Sequence, residues 1–150
     1  MHTEATLRGA AQFFKILADE ARLKMLWLLF NHGELCVCDM MAVLEMTQSK
    51  ASRHLRTLRH AELVTDRKEG LWSYYALCPA DDELQRQHLG LLKANLAKRS
   101  DAGLLLAKLH QWLEAKDRGA VCSNDGACDT SKRKLKQRRA RIVAGSRAGV

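Results

Sequence analysis

Apolar residues recur at helical intervals along most of this 150-residue chain. Leu7, Ala10, Ala11, Phe14, Leu17 and Ala18 are spaced by threes and fours, which predicts an amphipathic first helix with those positions inward. Asp19 is placed to cap a second helix, in which Leu23, Leu26, Trp27 and Phe30 share a face. Asn31-His32-Gly33 ends it, with Gly33 free to take the left-handed backbone that closes many helices. Met40, Met41 and Leu44 predict a short third helix, and Glu45-Met46-Thr47 a tight turn into a fourth. In that fourth run, 48–61, Ala51, Leu55 and Leu58 form one narrow apolar face when read at ~100° per residue. Ser49, Arg53, Arg56 and Thr57 lie opposite, and Thr47 is a fitting N-cap. Two short helices joined this tightly, the second basic outside and apolar inside, describe a helix-turn-helix.

The period then changes. Runs 63–68 and 71–77 are rich in β-formers and flank Glu69-Gly70, which predicts a hairpin. A hairpin after a helix-turn-helix is a wing, and Arg67, Lys68 and Trp72 crowd its tip. Asp81, Asp82 and Glu83 place negative charge at the start of a later helix, where its dipole favours it. Leu89, Leu92, Leu96, Leu105, Leu106, Leu109, Trp112 and Leu113 continue the helical pattern, with Ser100-Asp101 and Gly103 as break points. So much late apolar surface has little local core to cover, and burial against a second copy is the expected solution. The fold class read from this pattern is mainly α with a small β-hairpin, a homodimeric winged helix-turn-helix. Residues 1–118 form the domain, with dimerisation helices at both ends, and 119–150 are expected to be a disordered basic tail.

Charge sharpens the picture. The net charge is +8, of which 129–150 carry +7. Between 48 and 61 the chain has Lys50, Arg53, Arg56 and Arg59 and no acid. Double-stranded DNA is the partner this profile fits. Gln48, Ser49, Ser52 and Arg53 are the candidates for base edges, and Lys50, Arg56, Arg59, Arg67 and Lys68 for phosphates. No apolar run approaches the ~20 residues of a membrane span. The first residues lack the basic-then-apolar form of an export signal, so a cytoplasmic setting with reduced thiols is expected for the five cysteines.

Phe14-Lys15-Ile16-Leu17-Ala18-Asp19-Glu20-Ala21-Arg22-Leu23, Gly33-Glu34-Leu35-Cys36-Val37-Cys38-Asp39, Ser52-Arg53-His54-Leu55 and Gly70-Leu71-Trp72-Ser73-Tyr74-Tyr75 follow one another in order. Together they resemble the ArsR/SmtB family of metalloregulatory repressors, its arsenic-responsive branch above all, over about 7–79. The resemblance implies a winged-helix homodimer that represses a resistance operon and leaves DNA when trivalent arsenic or antimony binds cysteine thiolates. It implies no required cofactor and no enzymatic role. The block around Cys36 and Cys38 is similar to the arsenic-binding motif, except that Met41 stands where many relatives have a third cysteine. A thioether is a weak neutral donor beside a thiolate. Three completions remain open: hydroxide or another ligand beside Cys36 and Cys38, a third sulfur from Cys122 or Cys128, or a methylated arsenical that needs only two thiolates.

Cys36 and Cys38 are ~200° apart on an ideal helix, so one atom bridges them only where the stretch is non-helical. Binding is therefore expected to unwind the start of the third helix and disturb the fourth. Cys78, beside Pro79, reads as a small buried residue. Met40, Met41 and Met46 read as core, and His54 as packing or a phosphate contact. His88 and His110 lack the acidic partners and spacing of a zinc site. Rival readings are a thiol redox sensor, a zinc- or cadmium-responsive repressor of the same fold, and a nucleic-acid binder driven by its tail. A thiol reductase is disfavoured because Cys-Val-Cys is not Cys-x-x-Cys and no βαβ pattern surrounds it.

Overall fold

A computed structural model describes residues 5–118, which form α1 (Leu7–Leu17), α2 (Glu20–Asn31), β1 (Leu35–Cys36), α3 (Val37–Leu44), α4 (Gln48–His60), β2 (Val64–Glu69), β3 (Trp72–Leu77), α5 (Glu83–Leu96) and α6 (Ser100–Asp117). The expected tail, with Cys122 and Cys128, lies outside the described residues. Four helices start on side-chain caps that the sequence favours. Thr6, Asp19, Thr47 and Asp82 accept from the backbone N–H of Gly9, Arg22, Lys50 and Gln85, at 3.0–3.3 Å. As expected, Ala51, Leu55 and Leu58 of α4 are fully buried. They meet Met25, Leu26 and Leu28 of α2 and Met40 and Val43 of α3 in one core.

Four expectations need correction. In α1 the core takes Phe13 and Ile16, while Leu7 is 92% and Phe14 44% exposed. The helix carries apolar residues on two sides, and the alanines between them do not say which side a single chain buries. In α2, Met25 through Leu29 are all buried, so this helix is enclosed rather than one-faced. Gly33 does not take positive φ. Instead α2 ends on His32 in an extended conformation (φ −141°), because the chain runs straight on into a strand. That strand, β1, was not expected. It pairs with β3 (Leu35↔Tyr75, Cys36↔Tyr74), so the wing is a three-stranded antiparallel sheet of order β1-β3-β2.

The hairpin turn sits one residue later than its spacing suggested. Glu69 pairs with Trp72, which leaves Gly70-Leu71 as the loop, and Gly70 supplies the positive φ (64°) that its first position needs. Late in the chain the break falls before Ser100, as expected. Trp27 of α2 fixes the start of α6 by donating its indole N–H to Ala102 O at 2.9 Å. Leu109 is fully buried, and Leu105, Leu106, Trp112 and Leu113 pack at the core's edge, so this face partly serves its own domain. Leu91 and Leu104 stay 62% and 71% exposed.

Leu55→Ala is expected to cost about 2–5 kcal/mol in urea unfolding, because it empties a closed core position. Leu71→Ala, at the 94%-exposed wing tip, should stay within about 0.5 kcal/mol.

Candidate functional site

Cys36 is the last residue of β1 and the N-cap of α3, with extended backbone (φ −89°, ψ 166°). Cys38 lies one turn position inside the helix. This placement overturns the expectation that the pair must be brought together by unwinding. One cysteine is already outside the helix, and the two sulfurs approach to 3.1 Å. Both are buried, under Trp72, Tyr74 and Trp112. Cys38 takes part in a disulfide, whereas Cys36 and Cys78 take part in none, so among the described cysteines the expectation of reduced thiols fails at Cys38.

Asp39 organises this corner. It is fully buried, and its Oδ2 accepts from Cys36 N–H at 2.9 Å, which satisfies an orphan donor at the helix start. Its Oδ1 accepts from Trp112 Nε1 at 2.9 Å and from Lys116 Nζ at 2.8 Å. Lys116 is itself 2% exposed and also reaches Cys36 Sγ at 3.3 Å. Trp112 and Lys116 are four apart on α6, so one face of that helix presents both to the carboxylate. Burial pushes the Cys36 thiol up to about 11; the Asp39 carboxylate adds to this, and the Lys116 ammonium opposes it. The ligand atoms of Cys36, Cys38 and Asp39 lie within 4.8 Å of one another, so a soft ligand atom here would have two sulfurs and a carboxylate in reach.

A cavity of about 180 Å³ opens beside the thiol pair. Its walls include Met41, Gln48, Ser52 and Trp72. Two residues of α4 that were expected at base edges thus line the same space as Cys36 and Cys38. Met41 lines it too, while also packing against the main core as expected.

Among the candidates for DNA contact, Gln48, Ser49, Lys50, Arg53 and Arg56 are exposed on α4, and Ser52 is half-buried. Lys68 is exposed on the wing. Lys50, Arg53, Arg56 and Lys68 make no ion pair among the described residues. Two expected phosphate contacts are committed elsewhere. Arg59 pairs with Asp66 at 3.0 Å. Arg67 grips Glu34 with Nε and Nη2 (3.1 and 2.6 Å), binds Glu69 with Nη1 at 2.9 Å, and stacks over Tyr74 at 4.8 Å. The hydrogen bonds to Glu34 and Glu69 push its proton affinity further up. The structure commits Arg67 to acids on the wing and beside β1. It uses Arg67 to tie the wing to the residue preceding β1.

Sequence reasoning missed Asp39, Trp112, Lys116 and Glu34 as parts of the site. For Asp39 there was a signal, since it lies three residues after Cys36, the spacing at which an acid reaches back to an N-cap N–H. Lys116 is 80 residues from Cys36, and nothing local marks it.

Residues 19–66 match the family described as bacterial regulatory protein, arsR family. The arsenical resistance operon repressor of Escherichia coli (strain K12) is 54% identical over 68 residues, which cover 45% of this chain and 58% of that protein. The arsenical resistance operon repressor of Bacillus subtilis (strain 168) is 44% identical over 90 residues, covering 60% of this chain and 80% of that protein. Among solved structures, HlyU from Vibrio cholerae N16961 superposes with a TM-score of 0.54 at 32% identity, over 63% of this chain and 99% of that one.

Asp39→Ala is expected to cost about 3–5 kcal/mol in denaturant unfolding, since it leaves the Lys116 ammonium buried without its carboxylate. Trp112→Phe removes one hydrogen bond to a charged acceptor and should cost about 1.5–3 kcal/mol. An unchanged unfolding midpoint in Asp39→Ala would contradict a buried ion pair.

Proposed function

Since the chain belongs to the arsR family of bacterial regulatory proteins, we propose that it is a DNA-binding repressor of an arsenic-resistance operon, released when trivalent arsenic or antimony binds Cys36 and Cys38. The observation that carries this reading is the convergence of two buried sulfurs, 3.1 Å apart, in a cavity shared with Gln48 and Ser52 of α4. Once a cellular thiol has reduced the disulfide at Cys38, arsenous acid condenses with the two thiols: two As–S bonds form, two As–O bonds break, and the thiol protons leave in two waters. A third ligand is then hydroxide, a sulfur of Cys122 or Cys128, or the carbon of a methylated arsenical. The presence of Met41 rather than cysteine in the cavity wall favours the first.

A reactant bonded to both sulfurs fixes the β1–α3 junction in a new shape, and α3 packs on α4. The reading helix is thereby moved relative to the wing. Lys50, Arg53 and Arg56, exposed and without acidic partners among the described residues, are the charges best placed for DNA. Gln48, Ser49, Ser52 and Arg53 are assigned to base edges. Lys68 is assigned to phosphate from the wing, whereas Arg59 and Arg67 contribute only if their acids release them. The exposed Leu7, Phe14, Leu91 and Leu104 support a homodimer built on α1, α5 and α6. Such a dimer places two reading helices on a twofold-symmetric operator. No helix of the described residues is long and apolar enough to cross a membrane. The regulator proposed here is cytoplasmic and non-enzymatic and requires no cofactor.

The disulfide at Cys38 supports a second reading, a thiol redox sensor. Fluorescence anisotropy of labelled operator DNA separates the two. Under a phosphine reductant, arsenite should release the wild type and fail to release Cys36→Ser/Cys38→Ser. Release by peroxide alone, with no response to arsenite in reductant, would establish the second reading instead. In the same assay, Lys50→Ala and Arg56→Ala should each flatten the slope of log affinity against log salt by about one unit, because each removes one neutralised phosphate.

A further inference from the structure

We propose that Lys116 sets the ligand selectivity of the thiol pair: its ammonium fills the position where a divalent cation would bind, and so keeps the site for neutral trivalent arsenic species. This rests on the assignment of Cys36 and Cys38 as the inducer site. In the reduced protein, two sulfurs and a carboxylate within 4.8 Å of one another are a donor set suited to zinc or cadmium. The carboxylate, however, is engaged on both oxygens. Oδ2 accepts from Cys36 N–H, and Oδ1 accepts from Trp112 and from Lys116. The same ammonium stands 3.3 Å from Cys36 Sγ. A divalent ion bonded to Cys36 and Asp39 has to displace Lys116 or share the pocket with it. Neither is cheap where Lys116 is 2% exposed and water does not screen its charge.

Arsenous acid meets no such barrier. It arrives uncharged, and its condensation with two thiols releases two waters and leaves the local charge as it was. The Asp39–Lys116 pair stays intact through that exchange. Selectivity of this kind works by a repulsive element against the wrong ligand, and it requires no additional contact to the right one. It also explains why a lysine, expensive to bury, is spent here. Its partner on α6, Trp112, satisfies the carboxylate but carries no charge and excludes nothing.

The test titrates cadmium and arsenite separately into the reduced full-length protein, reading cadmium–thiolate absorption and intrinsic tryptophan fluorescence. Wild type, Lys116→Met, Lys116→Gln and Lys116→Arg are compared. Lys116→Gln keeps a hydrogen-bond donor for Asp39 and serves if Lys116→Met does not fold by circular dichroism. The ratio of cadmium to arsenite affinity should rise about tenfold or more in the neutral variants and return toward the wild-type ratio in Lys116→Arg. An unchanged ratio in the neutral variants overturns the proposal, as does a rise in Lys116→Arg equal to theirs. If arsenite binds the wild type no better than Cys36→Ser/Cys38→Ser, the inducer site itself is wrong and the proposal falls with it. An intact cysteine dependence with an unchanged ratio overturns the role of Lys116 alone.

Discussion

A carboxylate buried at 0% exposure is the constraint on which this corner of the protein depends. Removing Asp39 from water is costly unless every lone pair finds a donor, and the structure supplies three from two distant segments. One is the backbone N–H of Cys36, which fixes where α3 begins. The others are Trp112 and Lys116, which fix how α6 lies across it. A single side chain thereby ties the residue that begins α3, Cys36, to the late helix that the homodimer reading assigns to subunit contact.

The same junction faces the DNA-reading parts on two other sides. Gln48 and Ser52 share a cavity with the sulfurs. Glu34, two residues before Cys36, holds Arg67 of β2, and Arg67 stacks on Tyr74, the residue paired with Cys36 across the sheet. On the proposed function, a change at the sulfurs would act on α4 through packing and on the wing through an ion pair and a strand pairing. Packed elements of this kind shift between discrete arrangements rather than deform smoothly. The arrangement suits a protein that must convert one covalent event into a different spacing of its DNA contacts.

Much of this was legible in the chain. The apolar stripe of Ala51, Leu55 and Leu58 against Arg53 and Arg56 identified α4 and its buried side, because a helix on a core leaves that mark regardless of its partners. The Cys36-Val37-Cys38 spacing identified the sulfur pair. Most of what failed shares one physical cause: the decisive partner lay far away in sequence. Whether the stretch at Cys36 is helical stayed open because β1 is two residues long and exists only through pairing with β3. Arg67 looked like a wing-tip phosphate contact because Glu34 is 33 residues distant. Phe13 and Phe14 of α1 competed for the core, and only the packed structure decides between adjacent aromatic residues on different faces. Lys116 offered no local sign that it would be buried against a carboxylate 77 residues earlier.

On the proposed function, the sulfur pair and the DNA-reading surface are two ends of one conformational equilibrium. Linkage makes it directly measurable, since a coupling between two ligands is the same seen from either side. The decisive measurement is the arsenite affinity of the reduced protein, free and saturated with operator DNA. Arsenite is expected to bind more weakly on the operator, by the same factor by which arsenite weakens DNA binding. Equal arsenite affinities in the two states would contradict it and leave the thiol site without a route to DNA.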